Sequence, residues 1–297
     1  MPKLKADGLE PITITALDDE NYSFFMPFLP REIISEIEDS GVIVLGAIVK
    51  DIACGIIVAK AEETRAQLLW IYVAEDFRRQ YIGSTLFCEM ADFLRDPDEY
   101  DLEWVFCRYA VPEDDDSVRI FFDSLKFKQE ETEEQSISLT LKELAESEIA
   151  NFNGDSEAVT YRIIADLPPF HLHELNAELD RHKVNYIGAP ISRETVILGF
   201  STVMYRGKTP TGCLCISEGD SEKELIFSVL FINERDSSAI KGMFRNSALL
   251  MIKKNPPDLI LKIPIVLESA GRMAKLILKD KAKICEKLIE AKFYFKQ

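Results

Sequence analysis

The sequence predicts an α/β (α+β) chain of two related domains, each a mixed, mostly antiparallel sheet flanked by helices. Three observations predict it. Two apolar, β-branched runs, "VIVLGAIVK" (42–50) and "IACGIIVAKAEE" (52–63), have only Asp51 between them, so an antiparallel hairpin is the economical arrangement. Strand-like and helix-like periodicities then alternate as far as residue 141. The second half repeats the order of elements of the first.

Taken in order, "AQLLWIYVAE" (66–75) is too apolar for a strand with one face in water, which makes it central. "STLFCEMADFLRD" (84–96) brings Leu86, Phe87, Met90, Phe93 and Leu94 to helical spacing, and "RDPDEYD" ends that helix. "LEWVFCRYAV" (102–111) reads as another buried strand. "EDDDSVRIFFDSL" (113–125) reads as a helix whose early carboxylates suit its positive end, and "QSISLTL" (135–141) alternates like a strand. The polar stretch 142–158 reads as a link, giving domains 1–150 and 151–297.

In the second half, residues 199–236 lie over residues 44–77, with Gly212 on Gly55 and Leu230 on Val73. "SSAIKGMFRNSALLMIKK" is helix-like and "DLILKIPIVL" (258–267) strand-like. The closing "AKICEKLIEAKFYF" (282–295) resembles "IFFDSLKFKQEE" (120–131). The repeat rests on element order more than on identities, and convergent α/β layering is the competing explanation.

The chain has 297 residues, of which 47% are hydrophobic, enough for two packed domains. No apolar run approaches the roughly 20 residues that cross a bilayer, and "MPKLKADGLEP" lacks the apolar segment of a signal peptide, so a cytoplasmic protein is expected. The six cysteines lie mostly in apolar runs, as buried reduced thiols do. Net charge is −16 and unevenly spread: residues 1–150 carry 33 acidic and 14 basic groups, a balance of −19, and residues 151–297 carry 18 and 21, a balance of +3. So acidic a first half repels nucleic acid and anionic membranes, and draws cations.

Against that background "EDFRRQYIGSTLF" (75–87) stands out, with Arg78, Arg79 and Gly83 between a strand and a helix. A helix entered directly from a strand presents unpaired N–H groups at its positive end, a ready place for a phosphate. In the predicted reading Gly83 lets the anion approach and Ser84 begins the helix.

Hairpin, central strand, "RRQYIG", helix, strand, acid-started helix and "FFDSLKF", over residues 10–142, resemble the GNAT superfamily of acyl-CoA-dependent N-acetyltransferases. The family's pyrophosphate loop, Q/R-x-x-G-x-G/A, becomes Arg78-Arg79-Gln80-Tyr81-Ile82-Gly83, and "FFDSLKFK" is similar to the "FYEKLGFK" element that closes the fold. The resemblance implies acetyl-CoA as co-substrate and a small-molecule amine as acceptor. It implies that the main chain of Ile71 and Val73 holds the pantetheine arm and thioester carbonyl. The pyrophosphate falls to Arg78, Arg79, Gln80, Tyr81, Ile82, Gly83 and Ser84. The charge balance favours a small cationic acceptor. Tandem proteins with one degenerate copy are known in the family, and here "ERDSSAIK" lacks a glycine and Asp236 would repel a phosphate. The second copy is therefore expected to be degenerate, serving to cover an open sheet edge of the first or to wall the acceptor cleft. A monomer or homodimer is expected.

The sequence also departs from the family. Tyr81 stands where glycine is usual, and a positive φ there would cost on the order of 1 kcal/mol. Amine attack on a thioester needs a base and an acid. The family's tyrosine in the closing helix is Phe122 here, and its strand glutamate is Gln67. Tyr72, Glu75 and Tyr109 are the available substitutes, although a buried tyrosine is ordinarily packing and Glu75 reads equally as surface charge. The alternative is a catalytically inactive CoA-binding or interaction protein. His171, His173 and His182 do not share one helical face and no metal is expected; Cys213 and Cys215 read as strand packing. The run Glu113–Asp116 reads as either a cation-attracting rim or a solvated helix cap.

Overall fold

The computed structural model describes residues 11–18, 20–37, 40–96, 98–154, 156–184, 190–219, 221–265, 278 and 281–295. The chain divides into two compact units: unit 1 is Met1–Val111, Asp115–Glu131 and Ile289–Gln297, and unit 2 is Pro112–Asp114 and Thr132–Leu288. Numbering strands and helices along the chain, unit 1 is built on β1 (Thr13–Ala16), β2 (Val42–Val49), β3 (Ile52–Ala61), β4 (Arg65–Val73) and β5 (Trp104–Pro112). It also holds the start of β6 (Lys128–Thr140) and the end of β12 (Lys283–Tyr294), in the sheet order β1-β2-β3-β4-β5-β12-β6. β4 is central, as its apolar run requires.

The β2–β3 hairpin turns on Lys50 and Asp51, whose φ values of 50° and 63° are both left-handed, as a two-residue turn matched to strand twist demands. One sheet face of unit 1 carries α1 (Tyr22–Phe25) and α2 (Arg31–Ile37), where Phe25, Ile56, Val58, Trp70 and Tyr72 pack together. The other carries α3 (Ile82–Leu94) and α4 (Ser117–Ser124), over Ile57, Ile71, Val73, Leu86, Met90 and Phe122. Alternation along β4 sends Ile71 and Val73 to one core and Tyr72 to the other.

β4 is also where the sheet opens. Its register with β3 shifts between Ala59↔Leu68 and Val58↔Trp70, leaving Leu69 as the extra residue of a bulge. Parallel pairing with β5 covers only Arg65↔Trp104, Ala66↔Val105 and Gln67↔Phe106. A bulge adds twist and ends pairing locally, so β4 and β5 part beyond Gln67.

Unit 2 contains β7 (Thr160–Ile163), β8 (Thr202–Arg206), β9 (Thr209–Glu218), β10 (Glu224–Ile232) and β11 (Ile260–Ile265), with β6 antiparallel to β11. Its helices are α5 (Leu141–Ala145), α6 (Pro169–Arg181) and α7 (Ser237–Lys254). α7 covers a core of Met204, Leu214, Ile216, Met243 and Leu261; α6 covers the opposite one, where Cys213 and Cys215 lie buried with Leu175 and Phe231. The shared face expected of the two cysteines is present.

Unit 2 repeats the opening of unit 1. β10 pairs in parallel with β11 only at Glu224↔Ile260, Leu225↔Leu261 and Ile226↔Lys262, and its register with β9 breaks between Phe227 and Val229, isolating Ser228. Gly55 and Gly212 are equivalent, as the sequence suggested: a Cβ at either would lie 3.0 Å or 3.1 Å from a carbonyl on the next strand, that of Tyr72 or Phe231. Leu230 does not fall on Val73, however. Gly55 pairs with Val73 and Gly212 with Ile232, so Ile232 takes that place.

Other differences are local. α3 begins at Ile82 rather than Ser84, and α4 at Ser117, after the acidic run. Residues 282–295 do not repeat 120–131, since β12 is a strand where 117–124 is helical. Residues 266 and 267 of the expected strand 258–267 lie outside the described residues. The polar stretch 142–158 includes most of α5, whose Thr140–Glu143 capping box and buried Leu144 tie it into the core of unit 2.

Candidate active site

The opened edge of β4 leads directly into the residues singled out by the sequence. Ala74 donates its N–H to the Cys54 carbonyl on β3 at 2.9 Å, and in an antiparallel ladder alternate residues turn their polar groups the same way. Ile71 and Val73 therefore turn theirs away from β3, toward the side β5 has left. Arg78 reaches back to this edge: its Nε donates to the Val73 carbonyl at 3.0 Å, its guanidinium lies 5.9 Å from the Tyr72 ring centre, and Nη1 is 3.8 Å from Glu75. Nothing in the sequence signals that bond, because it depends on a five-residue loop return.

The connection from β4 to α3 runs through residues 74–81. Tyr81 is the N-cap of α3 with φ 63° and ψ 7°, and Arg79 also has a left-handed φ of 65°. The positive φ considered for Tyr81 is thus present. The Tyr81 side chain makes no cap hydrogen bond and is 61% exposed, and the first turn has no acidic residue. The first helical bond in this stretch runs from the Thr85 N–H to the Tyr81 carbonyl at 2.9 Å. Helix geometry leaves the N–H groups of Ile82, Gly83 and Ser84 without an acceptor inside the helix. Gln80 is held by its side-chain amide on the Asp76 carbonyl at 3.2 Å.

Gly83 is bare for a reason the sequence did not reveal. A Cβ there would lie 3.1 Å from the Phe121 ring and 3.6 Å from Val73, so the missing side chain lets α3 pack close to α4. Its N–H remains among the free groups of the first turn.

The substitutes for the missing acid and base are dispersed. Tyr109, on the part of β5 beyond its pairing with β4, donates its hydroxyl to the Gln129 Oε1 and stacks on Phe122 with ring centres 4.7 Å apart. Burial pushes its phenol up to about 12, with the neighbouring Cys107 thiol adding to the rise and Arg119 opposing it. Tyr72 stacks on Phe28 at 5.4 Å, on the α1–α2 face. Glu75 is exposed beside Arg78, and Phe122 is buried. Gln67 is the last β4 residue paired with β5. At the start of α4, the Asp115 carboxylate accepts the Ser117 N–H at 2.8 Å, which holds its pKa below the ordinary value, and all four residues of the acidic run are exposed. Among the described residues there is no metal-type cluster of histidine, cysteine and carboxylates; His182 instead faces the Glu178 carboxylate at 3.1 Å.

The same place in unit 2 is built differently. Only residues 233–236 separate β10 from α7, and Asp236, with φ −72°, caps the helix through its carboxylate on the Ser238 N–H at 2.9 Å. Ser156 donates to the other Asp236 oxygen at 2.6 Å. Glu234 accepts from the N–H groups of Arg235 and Asp236 at 2.7 Å and 3.1 Å and is clasped by Arg206. These bonds hold both carboxyls below their ordinary pKa values. Where the first turn of α3 is uncapped, that of α7 meets the Asp236 carboxylate.

No family model and no curated protein matches the sequence. Solved structures do match. A tandem GNAT protein from the clavulanic acid biosynthesis pathway aligns over 96% of this chain and 98% of its own, at 10% identity and a TM-score of 0.62. A glucosamine N-acetyltransferase region of a fungal multi-domain β-N-acetylglucosaminidase aligns over 97% of this chain and 39% of its own, at 12% identity and a TM-score of 0.57. A probable N-acyltransferase from Enterococcus faecalis V583 aligns over 96% and 73%, at 9% identity and a TM-score of 0.50. With the bulged, opened central strand present in both units, the chain has the GNAT fold in its tandem form, two GNAT-like units in one polypeptide.

Proposed function

We propose that this protein is an acetyl-CoA-dependent N-acetyltransferase whose unit 1 binds acetyl-CoA, and whose unit 2 is a degenerate partner without a cofactor site. The observation that carries the reading is the uncapped start of α3, set at the end of an opened β4 and flanked by Arg78 and Arg79. Free amides at a positive helix end suit a pyrophosphate, and the unpaired edge at Ile71 and Val73 suits the amide groups of a pantetheine arm. Arg78 must yield the Val73 carbonyl, or keep it and bind phosphate through its outer nitrogens.

Acetyl-CoA supplies an activated acyl group. In the transfer the amine forms a C–N bond to the carbonyl carbon, the C–S bond breaks, the amine loses a proton and the thiolate gains one. Tyr109 is the best placed of the three candidates for the proton donor, because it lies on the part of β5 that has separated from β4, although it must first release Gln129. Glu75 is the candidate to receive the amine proton, and Tyr72 is a donor only toward the α1–α2 face. The acidic balance of the first half favours a small cationic amine and disfavours a nucleic-acid or anionic-membrane partner, and the reading places the protein in the cytoplasm. Among the described residues no helix is long and apolar enough to cross a membrane.

Buried Phe122 and the engaged Tyr109 hydroxyl favour a second reading, a CoA-binding protein without turnover. Calorimetry with acetyl-CoA tests binding, and thiol release across a panel of amines then separates the two. Binding with turnover is the expected result; binding without turnover on any amine would establish the second reading, and no binding would remove both.

A further inference from the structure

We propose that unit 2 carries its own site for a small carboxylate, independent of the acetyl-CoA reading of unit 1. A cavity of about 480 Å³ opens where β10 runs into α7, walled by Arg206, Thr211, Ile232, Asn233, Glu234 and Arg235. That volume is within the range of small-molecule sites. Thr211 is only 9% exposed, and its Oγ1 is buried with no hydrogen-bond partner among the described residues. The backbone fixes this residue firmly, since the Asn233 N–H donates to its carbonyl at 2.8 Å. A hydroxyl buried without a partner is costly, and a molecule in the cavity that bonds to it recovers the loss.

The charges on the wall select the molecule. Glu234 is fully engaged: one oxygen takes the Arg206 Nε and Nη2 at 3.0 Å and 2.7 Å, and the other takes the two backbone N–H groups. Arg206 is thereby neutralised. Arg235 has no ion pair among the described residues and is exposed, so the cavity is walled by one uncompensated guanidinium, by Thr211 with its unpartnered hydroxyl, by Asn233 and by the apolar Ile232. A carboxylate on a short apolar body matches this set, with its charge on Arg235 and a hydrogen bond from Thr211. A phosphate matches it less well, because a single uncompensated guanidinium leaves its second charge without a cation.

The test is calorimetry of the whole chain with butyrate, succinate and the neutral butyramide, on the wild type and on Thr211→Val and Arg235→Gln. The wild type should bind at least one carboxylate saturably and butyramide at least tenfold more weakly. Each variant should lose tenfold or more in carboxylate affinity while its far-ultraviolet circular dichroism is unchanged. No saturable carboxylate binding up to about 10 mM, or binding that both variants retain, overturns the proposal. Acetyl-CoA titrated into the same samples reports on unit 1, so failure of one reading leaves the other visible.

Discussion

The two strand-to-helix connections start from the same backbone and end in opposite chemistry. β4 and β10 share a bulge and the loss of parallel pairing after three residue pairs. Unit 1 then takes residues 74–81 to reach α3 and leaves its first amides uncapped, beside two arginines. Unit 2 takes only residues 233–236 and meets α7 with Asp236 and Glu234. A carboxylate at a helix start is the protein's own answer to the unpaired N–H groups, and it uses the charge that a phosphate would otherwise supply. In the proposed reading unit 2 goes without a cofactor site at no change of fold, through a shorter loop and two acidic side chains.

The comparison breaks most readily if a carboxylate is moved into unit 1. Ser84 is the third residue of α3, where a glutamate suits the helix and opposes a bound phosphate. Ser84→Glu should lower acetyl-CoA affinity roughly a hundredfold, from about 2–3 kcal/mol of like-charge repulsion in a partly screened site. Its thermal midpoint should hold or rise. A variant that stays folded and binds acetyl-CoA as tightly as the wild type in calorimetry would remove the α3 start as the pyrophosphate site. Ser84 is a better choice than Gly83, where any side chain must displace Phe121.

The reciprocal change sits in unit 2. Asp236→Ala removes an N-cap and should lower the midpoint of denaturant unfolding. Acid should reproduce the effect. Glu234 and Asp236 have folded pKa values below their ordinary 4.5 and 3.8, so their stabilisation is complete above those values and is lost as pH falls through the lower folded ones. The gap in thermal midpoint between the wild type and a Glu234→Gln/Asp236→Asn double variant should be widest at neutral pH and close in strong acid. A gap that persists unchanged in acid would mean that the carboxylates act through packing rather than charge.

Much of this contrast was legible in the sequence. The hairpin, the central strand and the basic turn follow from apolar runs, branched residues and the placing of Arg78 and Arg79, and Asp236 already marked unit 2 as hostile to phosphate. What escaped the sequence depends on tertiary geometry. The bulge at Leu69 sits in a run so uniformly apolar that period-2 alternation gives no register. The start of α3 shifted to Ile82 because Tyr81, not a capping residue by type, takes the N-cap in a left-handed conformation. The strand character of β12 was masked by its likeness to a helix-and-strand segment in the first half. The packing of Phe121 on Gly83 joins residues from different elements, and no local spacing announces it.

Tyr81 gives the smallest and most discriminating change. Its left-handed φ of 63° costs a non-glycine residue roughly 1–2 kcal/mol, whereas Asp236, its counterpart at the start of α7, has an unstrained φ of −72°. Tyr81→Gly removes the strain but adds about 0.5–1 kcal/mol of unfolded-state entropy. The ring is largely exposed and makes no cap bond, so little packing is lost with it. The net gain should be below about 1 kcal/mol in denaturant unfolding, with acetyl-CoA affinity within about threefold of the wild type, because the amides of Ile82, Gly83 and Ser84 are untouched. Asp236→Gly, by contrast, relieves no strain and gives up a carboxylate cap. A larger loss of affinity in Tyr81→Gly than in Ser84→Glu would move the anchor of the site from the helix start to the tyrosine ring.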